Sequence, residues 1–166
     1  NTVVYVGDDA GVEAYVGDDT KVIDLAGGML TPGFMDGHIH GPGDWINRLF
    51  NVDLNGRSTN EEYLEAIKEL VEKYPDREAY FGGPFMLNAY QNADGRNPGP
   101  QKSDLDAISP DKPIIINDIS HHSIWVNSKA MEIAGITADT PDPSGGLIYR
   151  DANGEPSGCL TDTAMD

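Results

Sequence analysis

The sequence predicts an α/β protein with a short all-β preface, and three observations carry that prediction. Strand-like runs alternate with helix-like stretches after residue 34. The first 25 residues hold only short β-branched or aromatic runs joined by Gly-Asp turns. A Gly-Gly break at positions 27–28 divides the chain into residues 1–27, read as strands, and residues 28–166, read as the α/β part. The chain has 166 residues, enough for one domain with a real core but short of the about 250 that a complete eight-stranded α/β barrel uses.

Residues 3–6 (VVYV) and 12–16 (VEAYV) read as strands, each followed by Gly-Asp-Asp, at 7–9 and 17–19. Gly supplies positive φ and Asp a local hydrogen bond, so these tripeptides read as tight turns. A calcium loop needs more oxygen ligands at fixed intervals and a closing bidentate carboxylate, so solvated turns are the preferred reading. Residues 21–25 (KVIDL) form a third strand. Residues 29–40 (MLTPGFMDGHIH) pass through a Pro-Gly turn into a strand that ends in His38 and His40.

The clearest helix lies between Ser58 and Pro75. Thr59 with Glu62 makes a capping box, and Leu64, Ile67, Leu70, Val71 and Tyr74 recur at helical spacing. Residues 82–100 are rich in Gly, Pro and Asn and read as a long irregular connection. A short helix over 103–108 stops before Pro110. Residues 113–118 (PIIIND) form a continuous apolar run, the pattern of a strand buried on both faces. Asn127 caps a helix over 128–134 that Gly135 ends. Two last strands, 147–150 and 158–160, flank the turn DANGEP.

Composition narrows the partners. With 11 Lys and Arg against 28 Asp and Glu, the net charge of −17 argues against nucleic acid and against an anionic membrane surface. The single cysteine, Cys159, excludes an intrachain disulfide framework and a CxxC zinc site. No apolar run approaches a membrane span. A cytoplasmic location is the resulting expectation.

His38 and His40 are the most informative residues. On a strand, residues two apart share a face with Cα atoms about 6.6 Å apart, so two imidazoles can converge on one ion at about 2.0–2.1 Å. Two histidines at a strand end can also simply hydrogen-bond, and a catalytic metal needs a third ligand and an open position.

The surrounding stretches resolve that ambiguity by resemblance. KVIDLAGGMLTPGFMDGHIH (21–40) resembles the opening of the amidohydrolase superfamily. LDAISPDKPIIINDISHHSIWVNSKAMEIAGIT (105–137) and DPSGGLIYRDANGEPSGCL (142–160) are similar to blocks of its amidohydrolase 3 family. The resemblance implies a metal-dependent hydrolase of carbon–nitrogen bonds in amides. It also implies a (β/α)₈ barrel preceded by strands of a small β-sandwich, the barrel being incomplete in this chain. His38 and His40 would be metal ligands, for a divalent ion and by expectation zinc, with Asp36 a structural neighbour. His122, in the "HS" position of the family block, would be either a substrate-side contact or a structural hydrogen-bonder. Trp125 would line the same pocket or serve as a core aromatic.

The pattern departs from the family after GCL, where a Lys-Glu pair commonly follows and Thr161-Asp162 stands here. Asp162 is then a shorter carboxylate ligand or a surface residue. The resemblance places the remaining ligands and the general base beyond residue 166, so the chain reads as an N-terminal portion, inactive alone and inclined to associate with other copies. A non-catalytic ligand-binding or self-associating module is the alternative.

Overall fold

The structure is a computed structural model that describes residues 2–31, 33, 37, 43–93 and 96–166. The chain forms two compact units, Asn1–Ile39 and His40–Asp166.

In the first unit, the described residues include no strand. The expected strand over 12–16 is lost to a stronger local signal. Asp8 accepts the Gly11 amide at 2.8 Å and so caps a single helical turn, α1 (Asp9–Val12), which continues as a 3-10 turn over Glu13–Tyr15. The Tyr5 ring stacks on Tyr15 at 5.4 Å, and its hydroxyl donates to Asp8 Oδ1 at 3.2 Å. The second Gly-Asp-Asp does form a turn, closed by Thr20 N to Gly17 O at 2.9 Å. The runs at 3–6 and 21–25 keep Val3, Val4, Val6, Val22 and Ile23 exposed, with no ladder pairing among the described residues. A β-branched run has the propensity for a strand, but strand geometry needs a neighbour to take its backbone N–H and C=O groups.

The second unit is a mixed sheet with helices. Its described strands are β1 (Val52–Asp53), β2 (Tyr80–Phe85), β3 (Ile114–Asp118), β4 (Ser123–Val126), β5 (Gly146–Arg150) and β6 (Pro156–Asp162), in the order β1-β2-β3-β4-β6-β5. The first three are parallel and the remaining pairings antiparallel. An all-parallel barrel start was expected over this region. The short turn between β3 and β4 explains the difference, because a parallel return needs a crossover of a dozen or more residues.

Helix α2 (Gly43–Phe50) precedes β1, and α3 (Asn60–Lys73) is the crossover to β2. The capping box is present: Glu62 N donates to Thr59 Oγ1 at 3.3 Å, and Glu62 Oε2 accepts Thr59 N at 3.1 Å. The buried face of α3 is Tyr63, Ala66 and Ile67, with Leu64, Leu70 and Val71 half-buried around it. The stripe is thus turned toward Tyr63 relative to the spacing read from the aliphatic residues. Helix α4 (Lys102–Asp106) precedes β3, and α5 (Ser128–Ala134) follows β4 with Asn127 as its cap and Gly135 in left-handed conformation.

Two apolar clusters hold the sheet. Val52, Leu54, Tyr63, Ile67, Tyr80, Phe85, Leu105, Ile114, Ile116 and Trp125 pack under α3 and α4 on one face. Val126, Met131, Ile148 and Leu160 pack with α5 on the other. Strand β3 alternates rather than being buried on both faces: Ile114, Ile116 and Asp118 are buried, Ile115 is intermediate and Asn117 exposed. Beside Ile115 an apolar groove of about 260 Å³ opens between Phe81, Ile124 and Met131. The expected irregular stretch 82–100 begins as strand, since Gly82–Phe85 belong to β2. Glycine at 82 has a packing reason, because a Cβ there would lie 2.4 Å from the Val52 carbonyl oxygen on β1. At the far end of the sheet, Asp142 Oδ1 accepts the Ile148 amide of β5 at 3.0 Å.

Candidate functional site

The parallel direction of β1, β2 and β3 brings their C-terminal ends to one edge of the sheet. Strand β6 ends there too, because Ser123 at the start of β4 pairs with Thr161. Three of these strands close on a carboxylate: Asp53, Asp118 and Asp162. In α/β sheets and barrels this is the edge that carries ligand and active sites.

Asp118 organises the turn that follows it. It is buried, and its Oδ1 accepts Ser120 N at 2.7 Å and Ser120 Oγ at 2.6 Å. Ser120 Oγ in turn accepts the His122 amide at 3.2 Å. Ile119 N is held by Phe85 O at 2.9 Å, which ties the turn to β2. Within it His121 takes φ 60°, a left-handed value that costs a non-glycine residue on the order of 1–3 kcal/mol. His121 and His122 therefore sit on a bent turn rather than on a straight strand.

His122 joins the edge to β6. Its carbonyl accepts Asp162 N at 3.0 Å, and its Nδ1 lies 2.9 Å from Asp162 Oδ1. Asp162 is the second non-glycine residue here with a left-handed φ, 49°. Both side chains are accessible, His122 at 75% and Asp162 at 50%. The pair is worth little to stability at that exposure, at most about 1 kcal/mol. Its interest is geometric, since it aims an imidazole and a carboxylate at the same open edge.

Asp53 belongs to its own loop. Its Oδ1 accepts the Asn55 side-chain amide at 2.7 Å, its carbonyl takes Arg57 Nη1 at 2.8 Å, and Arg48 Nε stands 3.7 Å away.

Of the two readings of Trp125, the fold places it in the core. It is fully buried, its indole N–H donates to Gln101 O at 2.9 Å, and Phe85 and Tyr90 meet it edge-on at 6.1 and 6.0 Å. Its neighbour across the ladder, Cys159, is buried as well. Burial, with the Asp118 carboxylate adding to it, pushes the Cys159 thiol up to about 12, so it stays protonated and is no nucleophile.

His38, His40 and Asp36 lie outside the described residues. Among the described residues, no group of three or more His, Cys, Asp or Glu is placed to hold a metal ion. The sequence reading missed Asp118 and Ser120 as the organisers of the His122 turn. The signal was present in the string DIS after the apolar run, an Asp two residues before a Ser, which is the pattern of a side-chain-closed turn.

Known proteins resemble this chain over most of its length. The protein YtcJ of Bacillus subtilis (strain 168) is 38% identical over 154 residues, covering 93% of this chain and 28% of that protein. The N-substituted formamide deformylase of Arthrobacter pascens is 31% identical over 165 residues, covering 99% of this chain and 30% of that enzyme. The chain thus spans under a third of the length of these relatives. Among solved structures, an uncharacterized metal-dependent hydrolase from Pyrococcus horikoshii OT3 aligns with a TM-score of 0.45 and 23% identity, over 71% of this chain and 20% of that chain. The model of the amidohydrolase family matches residues 21–166, which takes in the histidine pair, every strand of the sheet and the His122–Asp162 edge, and the chain belongs to that family.

Proposed function

We propose that this chain is part of a metal-dependent hydrolase that cleaves carbon–nitrogen bonds of small-molecule amides other than peptides. The observation that carries this reading is the family match over 21–166, which contains the HxH pair in its expected sequence context. His38 and His40 would hold a divalent ion, by donor chemistry most simply zinc, since neutral imidazoles at strand spacing suit it. When bound, such an ion lowers the pKa of a coordinated water and polarises a carbonyl oxygen. The edge carrying His122 and Asp162 supplies polar contacts to the substrate amide. A barrel with a small companion β-sandwich is the architecture that goes with this activity, and the apolar runs at 3–6 and 21–25 are the segments that such a sandwich would pair. Association with further copies is part of the same proposal, supported by the exposed Trp45, Leu49 and Phe50 of α2.

The test is metal content and hydrolysis of N-formyl, N-acyl and cyclic amides by the protein supplied with zinc, beside its His38→Ala variant. The expected outcome is loss of stoichiometric metal and a fall in hydrolysis on the order of 10²-fold or more. Unchanged metal content with unchanged hydrolysis would sink the assignment.

A further inference from the structure

We propose that Asp162 is a positioning residue that fixes the His122 imidazole as its Nδ1–H tautomer, so that Nε2 is the hydrogen-bond acceptor offered to the N–H of an incoming amide. The inference rests on the amide-hydrolase reading for its substrate and on the described geometry for everything else.

The chemistry of the contact settles which nitrogen carries the proton. An ionised carboxylate can only accept, so at 2.9 Å from Asp162 Oδ1 the His122 Nδ1 must be the donor. In the neutral ring the other nitrogen, Nε2, is then the lone-pair acceptor. Several contacts converge on this one arrangement. Ser120 Oγ and Asp162 N hold the His122 backbone from both sides, at 3.2 and 3.0 Å. Asp162 reaches His122 only by taking φ 49°, and the residue before His122 takes φ 60°. Two non-glycine residues in the left-handed region, on either side of one imidazole, mark a turn built for that side chain rather than for the cheapest backbone path. The ring itself remains open to solvent and is therefore free to meet a ligand.

The consequence for specificity is direct. An acceptor nitrogen favours primary and secondary amides over N,N-disubstituted ones, which have no N–H to give. Nitrogen-15 NMR of the histidine-labelled protein reads the tautomer without any need for turnover. The expected result is an Nδ1–H ring at His122, shifted about fivefold toward Nε2–H by Asp162→Ala and largely retained in Asp162→Asn, which keeps the accepting oxygen. Asp162→Ala should also narrow the kcat/KM ratio between a secondary amide and its N-methylated analogue. An Nε2–H ring in the unsubstituted protein, or a tautomer that Asp162→Ala leaves unchanged, overturns the role of Asp162. A protein that hydrolyses no amide refutes the underlying function instead, and the NMR result still upholds or overturns the positioning.

Discussion

Asn127 does the work of a small hub with one amide group. It is fully buried, and its Oδ1 accepts Ala130 N at 3.0 Å as the cap of α5 and Ile114 N at 3.1 Å at the start of β3. Its Nδ2 donates to Ser109 O and to Lys112 O, both at 2.8 Å. All four hydrogen bonds of the side chain are used, and each partner is a backbone group. Asn127→Ala should therefore cost about 2–4 kcal/mol, more than a cap alone, as measured by urea unfolding. The capping role was legible in the sequence, because Asn before a helix and Gly after it are local signals. The bridge to Ser109, Lys112 and Ile114 was not, since those partners lie 13 to 18 residues away and only the folded sheet brings them together. Trp125 teaches the complementary lesson. Its type fits a pocket wall and a core equally well, and only the packing of Phe85 and Tyr90 against it decides.

Among elements, α3 is the one whose ends and pitch follow most directly from its residues. Backbone amides of Ser58 and Thr59 bond the Glu62 carboxylate and hold it below its ordinary range. A carboxylate with a depressed folded pKa adds stability that is present above its unfolded pKa and lost as pH falls through the folded value. The melting temperature should therefore decline from about pH 5 downward, and Glu62→Gln should flatten that decline. Thr59→Ala removes the other half of the box and should cost about 1 kcal/mol. The N-terminal runs went the other way. Their β-branched residues promise strands, but propensity supplies no partner backbone, and at Asp8 a good helix cap took the local decision. The stretch 82–100 misled for a related reason: Gly82 and Gly83 look like loop, yet both lie in β2, where Gly82 lets β1 approach and Gly83 lets the Asn117 backbone of β3 approach.

Over the whole molecule, the alternation of strands and helices was readable, as was the strand pair around DANGEP. The mixed direction of the sheet was not, because hydrophobic pattern records which face of a strand is covered and says nothing of which way its neighbour runs. The candidate site was legible to the same partial degree. The histidine doublet stands out in the string as chemistry, but the joining of His122 to Asp162, 40 residues apart, depends on β4 and β6 lying side by side.

The contact between Asp142 and Ile148 has a bearing on how the protein survives at high concentration. Strand β5 closes one side of the sheet order, and an outermost strand with idle amides is a template on which other chains can stack into fibrils. A carboxylate folded back onto the middle amide of β5 withdraws that docking point and leaves a negative charge in its place. Asp142→Ala should shorten the lag before thioflavin-positive aggregates appear while barely moving the melting temperature. An unaltered lag would show that β5 is guarded by something else.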